Sequence, residues 1–148
     1  MASSEPSVPP LADLVAAMPF AASLGVELHE AGADRVTGSL PWSPQACTVG
    51  GVLHGGALMA LADSVGAVCA FFNLPAGAGT STVESKTNFL RPVTGGRVHA
   101  TARPLHVGGT LVVVQTELRD ATDRLVGHTT QTQIVRGGRR SGDVADTP

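Results

Sequence analysis

The fold of this chain is decided by residues 54–73, which read HGGALMALADSVGAVCAFFN. Almost every side chain in this run is apolar, and Pro75 follows it. The run predicts one helix of about 20 residues, which is about 30 Å long at 1.5 Å per residue. Because a helix that is apolar on every side is normally buried, we expect this one to form the centre of the domain.

One carboxylate interrupts the apolar run. Asp63 is the only formally charged residue between Arg35 and Glu84, and it lies near the middle of the helix. Burying a lone carboxylate is costly unless other groups compensate for its charge. Asp63 is therefore a candidate functional acid. The alternative is a structural acid bonded to Ser64, to a threonine or to the backbone of a neighbouring strand.

The predicted start of the helix combines glycines with a histidine. Residues 48–56 read TVGGVLHGG. The first-turn N–H groups near Gly55 and Gly56 carry the positive end of the helix dipole, which suits an anion or a developing oxyanion. The alternative is an ordinary glycine-rich helix start in which His54 is a cap or a packing residue.

The spacing of these two features predicts a dimer. Asp63 lies nine residues after His54, which places it on the opposite face of the helix and about 13 Å along the axis. One helix therefore does not easily bring Asp63 and the Gly55 N–H to the same site. Two helices packed antiparallel across a two-fold axis would do so, with the acid from one subunit and the N–H from the other.

The rest of the sequence predicts β-strands. Residues 25–40 read as a strand or a hairpin interrupted at Gly32, and residues 80–91 alternate with Val83, Ser85, Thr87 and Phe89 on one face. Further strands are expected at residues 97–107, 110–119 and 124–136. Tight turns join antiparallel neighbours. The predicted fold class is α+β, a curved antiparallel sheet wrapped around one long central helix.

The sequence predicts a single domain. We expect it to cover residues 20–136, after a flexible N-terminus at residues 1–19 that includes a short helix ended by Pro19, and before a disordered tail at residues 137–148. Edge-to-edge pairing of two such sheets would bury more apolar surface and protect the edge strands.

Composition limits the classes of function. Charged residues make up 15% of the 148 residues, against about 25% in typical soluble domains, which favours a subunit that buries surface against copies of itself. The net charge of −2 predicts no nucleic-acid partner. No histidines are spaced as a metal-binding pair, and Cys47 and Cys69 do not suggest a disulfide framework. The N-terminus does not resemble a signal peptide and the helix is too short to span a membrane, so we expect a cytoplasmic protein without membrane association.

Several polar residues are weaker candidates. Thr80, Ser81 and Thr82 begin the strand after the helix and could bring a hydroxyl close to the acid, although an ordinary strand start explains them equally well. Ser64 follows Asp63 and could orient it, or could bond to the helix backbone. Arg91 could bind phosphate, while a solvated charge at a strand end is the more common case.

These motifs together resemble a known family. A glycine three residues before His-Gly-Gly, followed by Ala-Asp nine residues after the histidine, is similar to the hotdog-fold acyl-CoA thioesterases, and within them to the phenylacetic-acid-degradation (PaaI-like) branch. The resemblance covers residues 20–135. It is carried by Gly51, His54, Gly55, Gly56, Leu61, Ala62, Asp63 and Ser64, by the strand at 83–92, by the turn at 108–110 and by residues 120–127.

The resemblance implies hydrolysis of an acyl-CoA thioester by a homodimer, often assembled into a homotetramer, without a metal or a cofactor, since coenzyme A is part of the substrate. Asp63 would be the nucleophile or the general base, the partner's Gly55 N–H would polarise the carbonyl, and His54 would shape the helix start. The residues that we predict to contact the substrate are Gly56, Ser64, Ser81, Thr82, Arg91, Gly108 and Gly109.

Two positions depart from the family pattern. Thr48, six residues before His54, replaces the usual Asn or Gln that helps to hold the attacking water or the acid. Gly109 replaces the Lys or Arg that many relatives carry near the coenzyme A phosphates. Two other functions stay open: a non-catalytic acyl-CoA-binding module, which would not need Asp63, and a hydratase or dehydratase, which would need a His–acid pair in one site.

Overall fold

A computed structural model describes residues 7–138 of the chain. Its helices and strands are α1 (Leu11–Ala16), α2 (Pro19–Leu24), β1 (Glu27–Ala31), β2 (Val36–Pro41), α3 (Gly55–Phe71), β3 (Ala78–Phe89), β4 (Arg97–Val107), β5 (Leu111–Arg119) and β6 (Leu125–Gly137). Two short 3₁₀ turns, Pro44–Ala46 and Val49–Gly51, precede α3. The predicted hairpin at 25–40, the central helix and the four later strands are therefore confirmed.

The six strands form one antiparallel sheet in the order β1-β2-β4-β5-β6-β3. The central helix α3 packs across one face of this sheet. Leu61 and Val65 of α3 are completely buried, as are Leu40, Val98, Val112, Val114, Leu118 and Val126 on the strands. Burying each such side chain stabilises the fold by about 1.5–3 kcal/mol. The α+β arrangement of a curved antiparallel sheet around one long helix is confirmed.

Within a single chain, α3 is not buried on every side. Met59 is 37% exposed and Phe71 is 48% exposed, and Asp63 is partly exposed between them. The expectation of complete burial is wrong for one subunit because one sheet covers only one face of a helix. An apolar stripe of α3 therefore lies uncovered in the monomer.

The N-terminal helical segment differs from the expectation at Pro19. Proline was expected to end the first helix, but it occupies the first turn of the separate helix α2. A proline fits there because the N–H that it lacks would have no partner within the helix. Side chains of Leu11, Leu14, Val15 and Met18 pack against the core. The disorder expected at the termini falls in part on residues 1–6 and 139–148, which lie outside the described residues.

A β-bulge in β3 changes which side chains face α3. The pairing of β3 with β6 shifts between Thr82 and Glu84, so that Val83 is the extra residue. Thr82 reaches α3, and so do Ser85 and Phe89 further along the strand. The prediction that Val83 shares a face with Ser85 while Thr82 lies on the other face is therefore wrong, because strict alternation does not continue through a bulge.

Candidate active site

The start of α3 is capped by His54. The Nδ1 atom of His54 accepts a hydrogen bond of 2.7 Å from the Gly56 N–H, and its carbonyl oxygen accepts one from the Ala57 N–H. The Gly55 N–H makes no hydrogen bond within residues 7–138. Because unpaired N–H groups at a helix start carry its positive partial charge, Gly55 is the available donor here, and Gly56 is not.

The loop before α3 is held at several points. The Trp42 indole N–H donates a 3.0 Å hydrogen bond to the carbonyl of Gly51, and the Thr48 N–H donates one to Val52. Gly50 and Gly51 both have positive φ angles, 81° and 72°, which favour glycine. The loop therefore enters the helix along a fixed path and leaves the Gly55 N–H at its end.

An open depression of about 400 Å³ adjoins Gly55. It brings Gly55 together with two other predicted site residues, Thr48 and Arg91. The Arg91 guanidinium is exposed and donates a 2.8 Å hydrogen bond to the Leu125 carbonyl. The remaining lining is apolar and consists of Val52, Leu53, Leu58, Phe89, Leu90, Pro92 and Val93.

The Asp63 carboxylate is held through one of its oxygens. Oδ1 accepts a hydrogen bond of 2.8 Å from the Thr82 hydroxyl and one of 3.0 Å from the Gln131 side-chain amide. Oδ2 makes no hydrogen bond with any residue that the structure describes. This arrangement leaves one oxygen of a fixed carboxylate free to take a proton or to attack a carbonyl carbon.

Further hydrogen bonds lie behind Thr82. The Gln133 amide nitrogen donates a 2.6 Å hydrogen bond to the Thr82 hydroxyl oxygen, which leaves the Thr82 hydroxyl proton for Asp63. The Thr80 hydroxyl lies 3.1 Å from the Gln133 amide oxygen and 3.0 Å from the Ile134 carbonyl. A connected group of side chains on β3 and β6 therefore surrounds Asp63 Oδ1.

The side chain of Gln131 is completely buried. Its Oε1 atom has no hydrogen-bond partner among the described residues and lies against Gly66 on α3. An acceptor buried without a partner costs about 1–3 kcal/mol. The opposite amide orientation would point Oε1 at the Asp63 carboxylate, where two acceptors repel each other. The ionised acid therefore fixes the orientation of the amide.

Asp63 also adjoins two open depressions of its own. One, of about 280 Å³, is lined by Gly56, Met59, Ala60, Thr82 and Ser85. The other, of about 250 Å³, is lined by Met18, Pro19, Phe20, Ala21, Ser64 and Ala67. Neither includes Gly55, which lies eight residues and about 12 Å earlier on the same helix. A single chain therefore presents the acid and the N–H donor in separate places.

Other predicted site residues occupy different surroundings. The Ser64 hydroxyl donates a 2.7 Å hydrogen bond to the Ala60 carbonyl, so it is bonded to its own helix and not to Asp63. Ser81 lies between Thr80 and Thr82 on β3 and therefore points to the opposite face of the sheet. Gly108 and Gly109 lie in the turn between β4 and β5, and neither lines the depressions at Gly55 or Asp63.

Gln131 and Gln133 were not identified from the sequence. They lie in the stretch Thr129–Gln133, where polar residues occupy both faces of the strand and alternation does not show which face turns inward. The signal that could have identified them is their polarity, because two glutamines are unusual on a strand that packs against an apolar helix.

Within residues 7–138, no three metal-ligating side chains lie close enough to form a metal site. The described helices are also all too short or too polar to cross a membrane.

The fold, the Asp63 carboxylate and the Gly55 N–H together point to a class of enzyme. A free carboxylate oxygen and an N–H at a helix start are groups that catalyse transfer of an acyl group to water. The family model described as the thioesterase superfamily matches residues 50–127, which include both Gly55 and Asp63. The chain belongs to the thioesterase superfamily, and the hotdog fold that the sequence motifs suggested is confirmed.

Individual relatives agree with this assignment. A relative from Mycobacterium tuberculosis whose name describes it as an esterase is 34% identical over 82% of this chain and 89% of its own length. The 1,4-dihydroxy-2-naphthoyl-CoA hydrolase of Escherichia coli is 30% identical over 69% of this chain and 75% of its own. The crystal structure of a Haemophilus influenzae thioesterase matches with a TM-score of 0.83 and 27% identity, covering 91% of this chain and 96% of that one.

Proposed function

We propose that this protein hydrolyses an acyl-CoA thioester to a carboxylic acid and coenzyme A. The observation that carries the proposal is the Asp63 carboxylate, which is held through Oδ1 by Thr82 and Gln131 while Oδ2 is free. The proposal is also supported by the relative from Escherichia coli, whose name describes hydrolysis of an aromatic acyl-CoA. The proposed reaction uses no metal and no separate cofactor, since a carboxylate and an N–H supply its catalysis and coenzyme A arrives as part of the substrate.

In the general-base route, Asp63 Oδ2 takes a proton from a water molecule whose oxygen attacks the thioester carbonyl carbon. The resulting oxyanion accepts a hydrogen bond from the Gly55 N–H. Collapse of the intermediate breaks the C–S bond, and the departing thiolate takes the proton back from Asp63. In the nucleophilic route, Oδ2 itself attacks the carbonyl carbon and expels the thiolate, and water then hydrolyses the mixed anhydride. Both routes require the same free oxygen.

The complete site would be formed by two subunits. Gly55 and Asp63 line separate depressions of one chain, and two α3 helices packed antiparallel would bring each acid opposite the partner's Gly55 N–H. The uncovered apolar stripe of α3 supports this arrangement, as does the unpaired outer edge of β3, which is the last strand in the sheet. We propose a homodimer as the catalytic unit and a homotetramer as its assembly.

The acyl group would lie among the apolar side chains around Gly55. Val52, Leu58, Phe89 and Leu90 line that depression, and they suit an aliphatic or an aromatic acyl group. Arg91, at the rim of the same depression, is the one cation among its lining residues and would meet a phosphate of coenzyme A.

The test is release of free coenzyme A, followed with a thiol-detecting dye, from a panel that runs from acetyl-CoA to palmitoyl-CoA and includes benzoyl-CoA and phenylacetyl-CoA. Wild type and Asp63→Asn are compared on each substrate. We expect turnover of one group of substrates by the wild type and a loss of about 10³-fold or more in the variant. Burial raises the pKa of the Cys69 thiol to about 11, so this residue adds little to the dye background.

The result also separates the two alternative functions. Binding of acyl-CoA without turnover by the wild type would contradict hydrolysis and support a non-catalytic binding module. Release of water from a 3-hydroxyacyl-CoA would support a dehydratase. Against the dehydratase, His54 Nδ1 accepts the Gly56 N–H, and within one chain His54 lines neither of the two depressions at Asp63.

A further inference from the structure

A series of hydrogen bonds leads to Asp63, and in each of them the donor lies on the side away from the carboxylate. The Thr80 hydroxyl can donate to Gln133 Oε1, Gln133 Nε2 donates to Thr82 Oγ1, and the Thr82 hydroxyl donates to Asp63 Oδ1. Gln133 accepts at Oε1 and donates at Nε2, and the Thr82 hydroxyl accepts and donates through the same Oγ1 atom. The order cannot be reversed while Asp63 is ionised, because a carboxylate only accepts hydrogen bonds.

The donors around Asp63 are all neutral. The described residues of α2 and the side chains of β3 and β6 that line or bond to this site include no titratable group. On α3 itself, the other titratable residues are His54 at its start and Cys69. Among residues 7–138, no cation bonds to Asp63, and its hydrogen-bond partners are the neutral donors Thr82 and Gln131.

Gln131 is the least expected member of this group. A purely structural side chain at this buried position would be apolar, since Gln131 leaves its Oε1 atom without a partner among residues 7–138. Its Nε2 atom nevertheless donates to the same oxygen of Asp63 as Thr82 does. Two donors on Oδ1, from neighbouring strands, restrict rotation of the carboxyl group and leave Oδ2 without a hydrogen bond among the described residues.

We propose that Thr82, Gln131 and Gln133 are positioning residues of the hydrolytic reaction, which fix the Asp63 carboxylate so that Oδ2 acts on water or substrate. Thr82 and Gln131 act directly on Oδ1, and Gln133 acts through Thr82. This inference rests on the proposed function, since it assigns these residues a role in the same reaction. The three residues contact Asp63 or each other, not the acyl group, so they affect the chemical step more than substrate binding.

The experiment compares kcat and KM for Thr82→Val, Gln131→Met and Gln133→Met on the substrate that the wild type turns over best. Each variant keeps the approximate size of the side chain and removes the donor. Since a hydrogen bond to an ionised group is lost, we expect kcat to fall about 10- to 100-fold for Thr82→Val and Gln131→Met, and less for Gln133→Met, while KM changes little. Thr82→Ser restores the hydroxyl and should recover most of the rate.

Thr87→Val is the matched control. Thr87 lies on the same strand as Thr82, and its hydroxyl forms a 2.7 Å hydrogen bond with that of Thr129 on β6, away from Asp63. The control also loses a partly buried hydroxyl and should therefore lose similar stability, which urea unfolding measures. We expect its kcat to remain within about twofold of the wild type.

The outcomes separate the two proposals. An active wild type with a lower kcat in Thr82→Val, recovery in Thr82→Ser and little change in Thr87→Val supports the positioning role. Equal losses in Thr82→Val and Thr87→Val, or failure of Thr82→Ser to recover, would show a structural role and overturn the inference alone. If Thr82→Val does not fold, the loss of kcat in Gln131→Met and Gln133→Met is compared with that in Thr87→Val instead. A larger loss supports the positioning role, and an equal loss overturns it. A wild type that hydrolyses no thioester overturns the proposed function, and the inference with it.

Discussion

The side-chain amide of Gln131 lies directly against the backbone of Gly66, so that a β-carbon at position 66 would overlap its Oε1 atom. Gly66 lies three residues after Asp63 on α3, while Gln131 reaches Asp63 from β6. The absence of a side chain at one position of the helix therefore makes room for a residue that holds the acid of the same helix.

This relationship predicts the effect of Gly66→Ala. At an ordinary position inside a helix, the change from glycine to alanine stabilises by about 1 kcal/mol. Here we expect destabilisation, because the new methyl group must displace Gln131, and a loss of kcat as the amide leaves Asp63. Urea unfolding and steady-state kinetics measure the two effects. The double variant Gly66→Ala with Gln131→Ala should regain stability but not activity, and a stable, fully active Gly66→Ala would contradict the prediction.

The Gly55 N–H can be removed without disturbing the helix. Gly55 is the first residue of α3, where proline is well tolerated, and His54 before it has the extended φ and ψ values, −61° and 136°, that precede a proline. Gly55→Pro should lower kcat about 10²–10³-fold, as loss of an oxyanion donor does.

Gly55→Ala is the control for that change, because alanine adds a β-carbon near Phe89 but keeps the N–H. A small effect of alanine with a large effect of proline would assign the loss to the N–H. Equal losses in the two variants would instead point to crowding against Phe89 and would contradict an oxyanion role.

A site shared between subunits predicts complementation. Asp63→Asn and Gly55→Pro should each be inactive alone. In mixed dimers, one site combines both changes and the other site is intact. Random mixing makes half of the dimers mixed, so co-refolding of equal amounts should recover about one quarter of wild-type activity, whereas sites within single chains would recover none. Acyl-CoA turnover before and after mixing gives the answer.

The turn between β5 and β6 predicts a dependence of stability on acid pH. Hydrogen bonds from the Thr122 hydroxyl, and from the backbone of Arg124 and Thr122, lower the pKa of Asp120 from 3.8 to about 2, against an opposing effect of burial. Because the pKa is lower in the folded state, the ionised carboxyl stabilises the fold above about pH 4, and this contribution is lost as the pH falls towards 2. Urea unfolding at several pH values between about 2 and about 4 gives the free energy of unfolding at each pH. This free energy should depend less on pH in Asp120→Asn than in the wild type, and an equal dependence would contradict this account.

Most of the fold could be predicted from the sequence because its signals are local. The apolar run before Pro75 marked α3, and alternation between tight turns marked β4, β5 and β6 within one or two residues. The prediction for Pro19 was wrong because a proline is compatible with both the end of one helix and the start of the next. Only the packing of α2 distinguishes the two cases.

The site could be predicted only in part. Asp63, Gly55 and His54 stood out because each is an exception within its segment. Gln131 and Gln133 did not, because they become important only when β6 pairs with β3, and that pairing joins residues about fifty positions apart. No local pattern distinguishes the inward face of a strand that is polar on both faces.

The bulge at Val83 divides β3 into two parts that contact different positions of α3. The part before it brings Thr82 to the acid, and the part after it brings Phe89 to the glycine at the helix start. With strict alternation, Thr82 and Phe89, seven positions apart, would lie on opposite faces, so the one extra residue allows a single strand to contact both the middle and the start of α3. Deleting Val83 would therefore leave every strand present but turn either Thr82 away from Asp63 or Phe89 away from Gly55. Insertions or deletions in this strand should be far less tolerated than substitutions.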